Sequence, residues 1–233
     1  MNIYKESLLS ERDNGGIFST LVIDFVVICL AAVVLFTYFI GITPVSGTSM
    51  ENTVWDSQLC LTLRNGYTLR RGDIVTLNTA DKKEDEHIII KRIIATGGDR
   101  VIFMYSEDKT CIDLYLCTDG SNKYELQNED YIKAKMATNI GYGKVTPIEY
   151  TPLVTEIDIY ADYGNSELAE TQTRLEDAAV TVPKNDIFFL GDNRNVSRDS
   201  RYYGTRDKSA VLGKVIKVLE QGSFSEKFFN LLV

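Results

Sequence analysis

The sequence has a single histidine, His87, in 233 residues. A Ser-His-Asp triad needs an imidazole beside its nucleophile, and zinc sites usually draw on several His or Cys ligands. His87 adjoins the apolar run Ile88-Ile89-Ile90 and reads as a strand or loop residue. A hydrolase built on this chain therefore takes its general base from another residue type, and lysine is the obvious candidate. Basic clusters are also missing. The net charge is −8, with 25 Lys and Arg against 33 Asp and Glu scattered along the chain, so nucleic acid is excluded as a partner. Among the four cysteines there is no C-x-x-C, which argues against a metal knuckle or redox pair. No metal site is expected from this set of residues. Cys29 reads as a small hydrophobe within an apolar run and Cys60 as a buried residue. Cys111 and Cys117 stand in polar surroundings as either a bridged pair or two free thiols. Internal repeats, low-complexity tracts and runs of like charge are absent, and the composition is that of a globular protein.

Residues 21–42 are almost all apolar, with Asp24 the one charge. About 20 residues at roughly 1.5 Å each cross a hydrocarbon core, so this stretch reads as a single transmembrane helix in contact with the lipid bilayer. It is longer than the apolar core of a cleaved leader, and no convincing small-x-small site closes it. Lys5 and Arg12 precede it, and no Lys or Arg follows until Arg64. The positive-inside rule then puts segment 1–20 in the cytoplasm and the body outside. The chain is expected in the cell membrane as a single-pass protein.

Beyond the anchor, short β-type runs alternate with Gly, Asp and Asn turns. Strands are expected over 58–63, 73–77, 88–95, 100–105, 113–117, 187–190 and 211–219, with one short helix within 165–179. The fold class is mainly β. Segments 43–102 and 185–220 form a core domain, 103–184 is an inserted smaller domain without evident chemistry, and 221–233 is a tail.

Three segments join reactive side chains to permissive backbone. Ser49 follows Gly47 in a polar turn about seven residues past the apolar run, at most roughly 25 Å from it. An exposed serine on a tight turn, with backbone N–H groups nearby, has the makings of a nucleophile. Lys91 lies within Ile88-Ile89-Ile90-Lys91-Arg92-Ile93-Ile94. Burying an ammonium is costly, so this setting favours the neutral amine that a base must be. Lowering its pKa from about 10.4 to about 8 corresponds to roughly 3 kcal/mol. The third segment, Gly191 to Gly204, is dense in hydroxyls and opposite charges, and Asp199 and Arg201 are placed to pair beneath a site.

In these segments, and at Arg71-Gly72-Asp73, the chain resembles the bacterial type I signal peptidases of peptidase family S26. Ser49-Met50 with Thr53 is similar to the family's nucleophile box. Lys91-Arg92 with Gly98-Asp99 matches its Lys-Arg box, and Gly191-Asp192-Asn193-Arg194 through Ser197, Asp199, Ser200, Arg201 and Gly204 matches its last box. Asn52 replaces the usual Pro, and Ala95-Thr96-Gly97 replaces the usual Gly-Leu-Pro. The resemblance implies a signal-peptidase-type β catalytic domain carrying an insert behind one anchor. The function it implies is that of a serine endopeptidase cleaving signal peptides from exported preproteins, without cofactor. It assigns Ser49 as nucleophile, Lys91 as base, Ser197 as a partner orienting the Lys91 amine, and Asp199 and Arg201 as supports. The Ser49 N–H is the oxyanion donor, and Gly47 lacks the side-chain donor of some members. Met50, with Val54, Trp55 and Ile89, either lines substrate pockets or rests on lipid. The competing reading is a non-enzymatic or inactive anchored β-domain that binds a partner outside the cell.

Overall fold

In the computed structural model, which describes residues 3–80, 87–139, 141, 143–220 and 222, and of residues 3–15 the backbone alone, the N-terminal apolar run is one helix. Helix α1 (Ile3–Val34) passes through a π-helical turn (Leu35–Phe39) directly into strand β1 (Ile40–Pro44). The stretch long and apolar enough to cross a membrane is Gly16–Phe39, 24 residues, or about 36 Å. The expected span of 21–42 is therefore shifted. It starts earlier, and Ile40 to Ile42 are paired in a sheet. Its side chains are exposed from end to end. The helix end is capped from the body. Arg64 donates through Nη1 to Thr37 O (3.2 Å) and through its backbone N–H to Phe39 O (2.9 Å), and Asn65 Nδ2 donates to Tyr38 O (2.6 Å). The first cation after the span thus satisfies orphan carbonyls at the negative end of the helix.

The body is two antiparallel sheets. The larger has seven strands in the order β1-β2-β12-β3-β4-β10-β11. Besides β1 they are β2 (Leu59–Leu63), β3 (Ile74–Asn78), β4 (Ile88–Thr96), β10 (Asp186–Leu190), β11 (Arg206–Asp207) and β12 (Val211–Val218). The smaller sheet holds β7 (Glu125–Leu126), β6 (Cys111–Cys117), β5 (Arg100–Tyr105) and β9 (Val180–Thr181), with β8 (Met136–Ala137) on β6. The mainly β class expected from the sequence is the class found. The boundary expected at 103 falls inside β5, because the smaller sheet already begins at Arg100. Of the expected tail, only Gly222 lies among the described residues.

Strand β5 is buried on both faces, which explains its unbroken apolar run. Val101 and Phe103 pack with Ile94, Ala95, Phe188 and Leu190 of the larger sheet, whereas Ile102 and Met104 pack under helix α2 (Glu167–Ala178) with Leu175 and Ile157. The Ser166 hydroxyl caps α2 at Ala169 N, with Glu167 and Glu170 in the first turn, favourable charges for that end. At the hinge between the sheets the buried Asp99 carboxylate accepts from Thr96 N (2.7 Å) and Asp119 N (2.8 Å). One rigid core thereby joins the sheets and fixes β4, the strand that carries Lys91.

Cys111 and Cys117 open and close the single strand β6. Six residue steps along the strand separate their α-carbons by roughly 20 Å, beyond the roughly 7 Å a disulfide tolerates. All four thiols are free. Alkylation of the denatured, unreduced protein followed by mass spectrometry should label four cysteines; two labels would contradict the strand pairing.

Candidate active site

Ser49 sits in a tight turn that follows β1 and leads back toward β2. Gly47 has φ +94°, a region open mainly to glycine, and its N–H donates to Asp56 Oδ1 (2.7 Å). The turn closes through Glu51 N to Thr48 O (3.2 Å) and Val54 N to Met50 O (2.9 Å). Met50 roots it: the side chain is 0% exposed, packed with Val45, Val54, Cys60 and Ile90. Met50 is thus a core residue and not part of an exposed pocket surface. Val54 is equally buried, while Trp55 is half exposed.

Lys91 lies mid-strand in β4, paired in register with Val75, and is 3% exposed. Its Nζ is 2.6 Å from Ser49 Oγ and 2.7 Å from Ile90 O. Burial holds the amine down at about 8, against the upward pull of Asp199 and Asp192 and assisted by Arg201. Lys91 is thus a buried lysine within an apolar strand.

The loop after β10 supports the pair. A Cβ on Gly191 would come within 2.3 Å of Ser197 Oγ and 2.5 Å of Ser49 O, so only glycine lets the loop close on the serine turn. Asn193 then holds that turn, its N–H donating to Ser49 O (3.0 Å) and its Nδ2 to Thr48 O (3.0 Å). Asp199 is fully buried and takes Arg201 in a two-point pair, Nε to Oδ1 (2.9 Å) and Nη2 to Oδ2 (2.8 Å). It also accepts from Gly191 N (3.0 Å). Ser197 departs from expectation: its buried Oγ makes no hydrogen bond among the described residues, and Lys91 bonds to Ser49 and Ile90 instead. The Ser197 hydroxyl fills the space that a Cβ on Gly191 would need.

Thr53, Arg92, Asp192 and Arg194 stood in the sequence motifs without an assigned role. Asp192 is fully buried and receives Arg92 Nε (2.9 Å), Arg92 Nη2 (2.6 Å) and the Thr53 hydroxyl (2.5 Å). This network ties the Lys91 strand, the Ser49 turn and the Gly191 loop together. From the loop between β7 and β8, Glu129 pairs with the fully buried Arg194 (Nη1 to Oε2, 2.6 Å), and the Tyr131 ring lies 4.1 Å from the Arg92 guanidinium. The density of charge around Asp192 and Arg194 was a usable signal. Glu129 and Tyr131 carried none, since they come from the segment that looked free of chemistry. Among the described residues no cluster of three metal-ligating side chains occurs.

The family described as "Signal peptidase, peptidase S26" matches residues 18–219. The chain is 24% identical over 216 residues to "Signal peptidase I" of Aquifex aeolicus, covering 86% of this chain and 84% of the relative. It is 27% identical over 197 residues to "Signal peptidase IB" of Staphylococcus aureus, covering 81% and 85%. Among solved structures, a signal peptidase I from Enterococcus faecalis matches with a TM-score of 0.37 at 24% identity, covering 66% of this chain and 100% of that one.

Proposed function

The chain belongs to the S26 family of signal peptidases, and from that membership we propose that it is a membrane-bound serine endopeptidase. It removes N-terminal signal peptides from exported preproteins with Ser49 as nucleophile and Lys91 as general base. The observation that carries this reading is the 2.6 Å approach of the Lys91 amine to the Ser49 hydroxyl, in a setting where burial lowers the amine to about 8. An amine with that pKa is about one-tenth neutral at pH 7 and mostly neutral at pH 9.

Neutral Lys91 accepts the hydroxyl proton as Ser49 Oγ bonds to the scissile carbonyl carbon. The Ser49 N–H donates to no acceptor among the described residues and is free to hold the oxyanion. The Gly47 N–H is engaged by Asp56, so it adds no second donor while that bond lasts. The charged Lys91 then returns its proton to the departing amine as the peptide bond breaks, leaving an acyl ester on Ser49. A water molecule gives a proton to Lys91 as its oxygen attacks the ester carbonyl, and Lys91 passes that proton to Ser49 Oγ as the ester bond breaks, freeing the signal peptide and restoring the serine hydroxyl. Asp199 with Arg201 keeps the Gly191 loop against the serine turn, and Ser197 supplies a further hydroxyl beside it.

The apolar helix fits a single membrane anchor, with Lys5 and Arg12 on the cytoplasmic side and the β body outside. Ser49 lies ten residues after Phe39, at most roughly 35 Å along the chain. A signal peptide's cleavage site also follows closely on its apolar core, so anchor and scissile bond emerge at one level. The test is cleavage of a preprotein by the purified full chain in detergent or lipid. Ser49→Ala should retain the fold and lose at least about 10³-fold in rate. Undiminished cleavage by that variant would sink the proposal.

A further inference from the structure

Asn52 has φ +96°, a backbone conformation that few non-glycine residues adopt and that carries a cost unless the surroundings impose it. The surroundings here are a segment some eighty residues further on. Asn52 Nδ2 donates to Tyr131 O (2.9 Å), with a longer contact to Ile132 O (3.4 Å). Next to it Glu51 forms an ion pair with Lys133. The same segment reaches the other two parts of the site. Lys133 N donates to Asp192 O (3.1 Å), the Tyr131 ring lies beside Arg92 (4.1 Å), and Glu129 pairs with buried Arg194. The Tyr131 hydroxyl donates to Glu129 Oε1 (2.7 Å), so ring and carboxylate brace each other. Burial, followed by the Glu129 charge, pushes this phenol up and keeps it a donor.

We propose that residues 129–133 form a positioning strap that acts through Asn52 to set the Ser49 turn against Lys91. The proposal rests on the reading of Ser49 and Lys91 as the reacting pair. Asn193 holds the turn by the carbonyls of Thr48 and Ser49, and the strap holds it at the other end, three residues past the nucleophile. Without the second hold, the turn pivots on Asn193 and Met50 and the Ser49 hydroxyl drifts from the amine. Proline, locked near φ −65° and without a side-chain donor, could serve neither the backbone nor the strap here. Asn52 therefore tightens the turn in this chain. Asn52 and Tyr131 are positioning residues and touch no reacting atom.

The experiment compares Asn52→Gly, which keeps the positive φ and removes the amide, with Tyr131→Ala and Tyr131→Phe. Steady-state cleavage, thermal melting and hydrogen exchange at the amides of Glu51, Thr53 and Val54 are read for each. Asn52→Gly should lower kcat about tenfold with KM within about twofold, the loss expected of a slightly misplaced nucleophile. Tyr131→Ala should lose about 10- to 100-fold, and Tyr131→Phe, which keeps the ring on Arg92, should recover most of it. In Asn52→Gly and Tyr131→Ala the three amides should lose protection while the β4 amides keep theirs. Unchanged kcat and protection in Asn52→Gly would overturn the strap. So would rates that merely follow melting temperature across all three variants. If the wild-type chain cleaves no preprotein, the peptidase reading fails, and the exchange data alone judge whether the strap holds the turn.

Discussion

Lys91→Met is expected to abolish cleavage and, near neutral pH, to make the folded protein more stable. The loss of rate should be at least about 10³-fold, as for removal of a base that acts as a unit with its nucleophile. The gain in stability follows from the lowered amine. In the fold Lys91 titrates at about 8, against 10.5 for a free lysine. Between those values the unfolded chain binds more protons, so stability rises with pH across this window. Below about pH 8 the full penalty of the buried amine is present, on the order of 3 kcal/mol. Methionine removes that penalty at similar volume but forfeits the bonds to the Ser49 hydroxyl and the Ile90 carbonyl, about 1 kcal/mol each. The net gain at pH 7 is therefore about 1 kcal/mol, and by pH 10.5 it should have reversed to a net loss of about 1–2 kcal/mol. Denaturant unfolding of both proteins at pH 7 and pH 10.5 measures it. A variant that still cleaves, or a stability difference independent of pH, would contradict a buried lysine acting as base.

Asp199→Ala should have the largest effect on folding. The carboxylate is fully buried and serves Arg201 at two points and Gly191 N at a third. Its removal takes the counter-charge from a buried guanidinium, a change that typically costs about 3–5 kcal/mol. Asp199→Asn separates charge from shape. Asp199 is the foremost of the charges that raise Lys91, so neutralising it should bring the amine below about 8. The rising limb of activity should then move to lower pH, even though the protein is less stable. Chemical denaturation together with a pH–rate profile reads both effects. An alkaline displacement of the limb in Asp199→Asn would show that the carboxylate does not act on Lys91 by its charge.

The parts of the fold that sequence could reveal are those governed by local pattern. The strands around Lys91 and Phe188 stood out as apolar runs between turn residues, and their bounds agree with the structure to within a residue or two. The start of β1 did not stand out, because Ile40 to Ile42 continue the apolar character of the helix and the switch to strand comes from pairing with β2. Ser49 and Lys91 were legible through their motifs, and the structure brings their side chains together across 42 positions. Met50 shows the limit of that approach: adjacency to the nucleophile suggested a pocket residue, whereas its side chain turns into the core beside Cys60 and Ile90. Ser197 was placed on Lys91 by resemblance, but its hydroxyl lies against Gly191 in this conformation. Glu129 and Tyr131 could not be found at all, since their meaning depends on the loop between β7 and β8 folding back over Arg92 and Arg194.

The most direct test of the account follows the ionisation of Lys91 itself alongside cleavage. With lysine labelled at Nζ with ¹⁵N, nuclear magnetic resonance gives the midpoint for Lys91, assigned by its loss in Lys91→Met, and kcat/KM is measured over the same pH range. A single midpoint near 8 in both, with the rate rising as the amine loses its proton, is the result predicted. A Lys91 that titrates near 10.5, or a rate that is flat or falling as pH rises through 8, would contradict it.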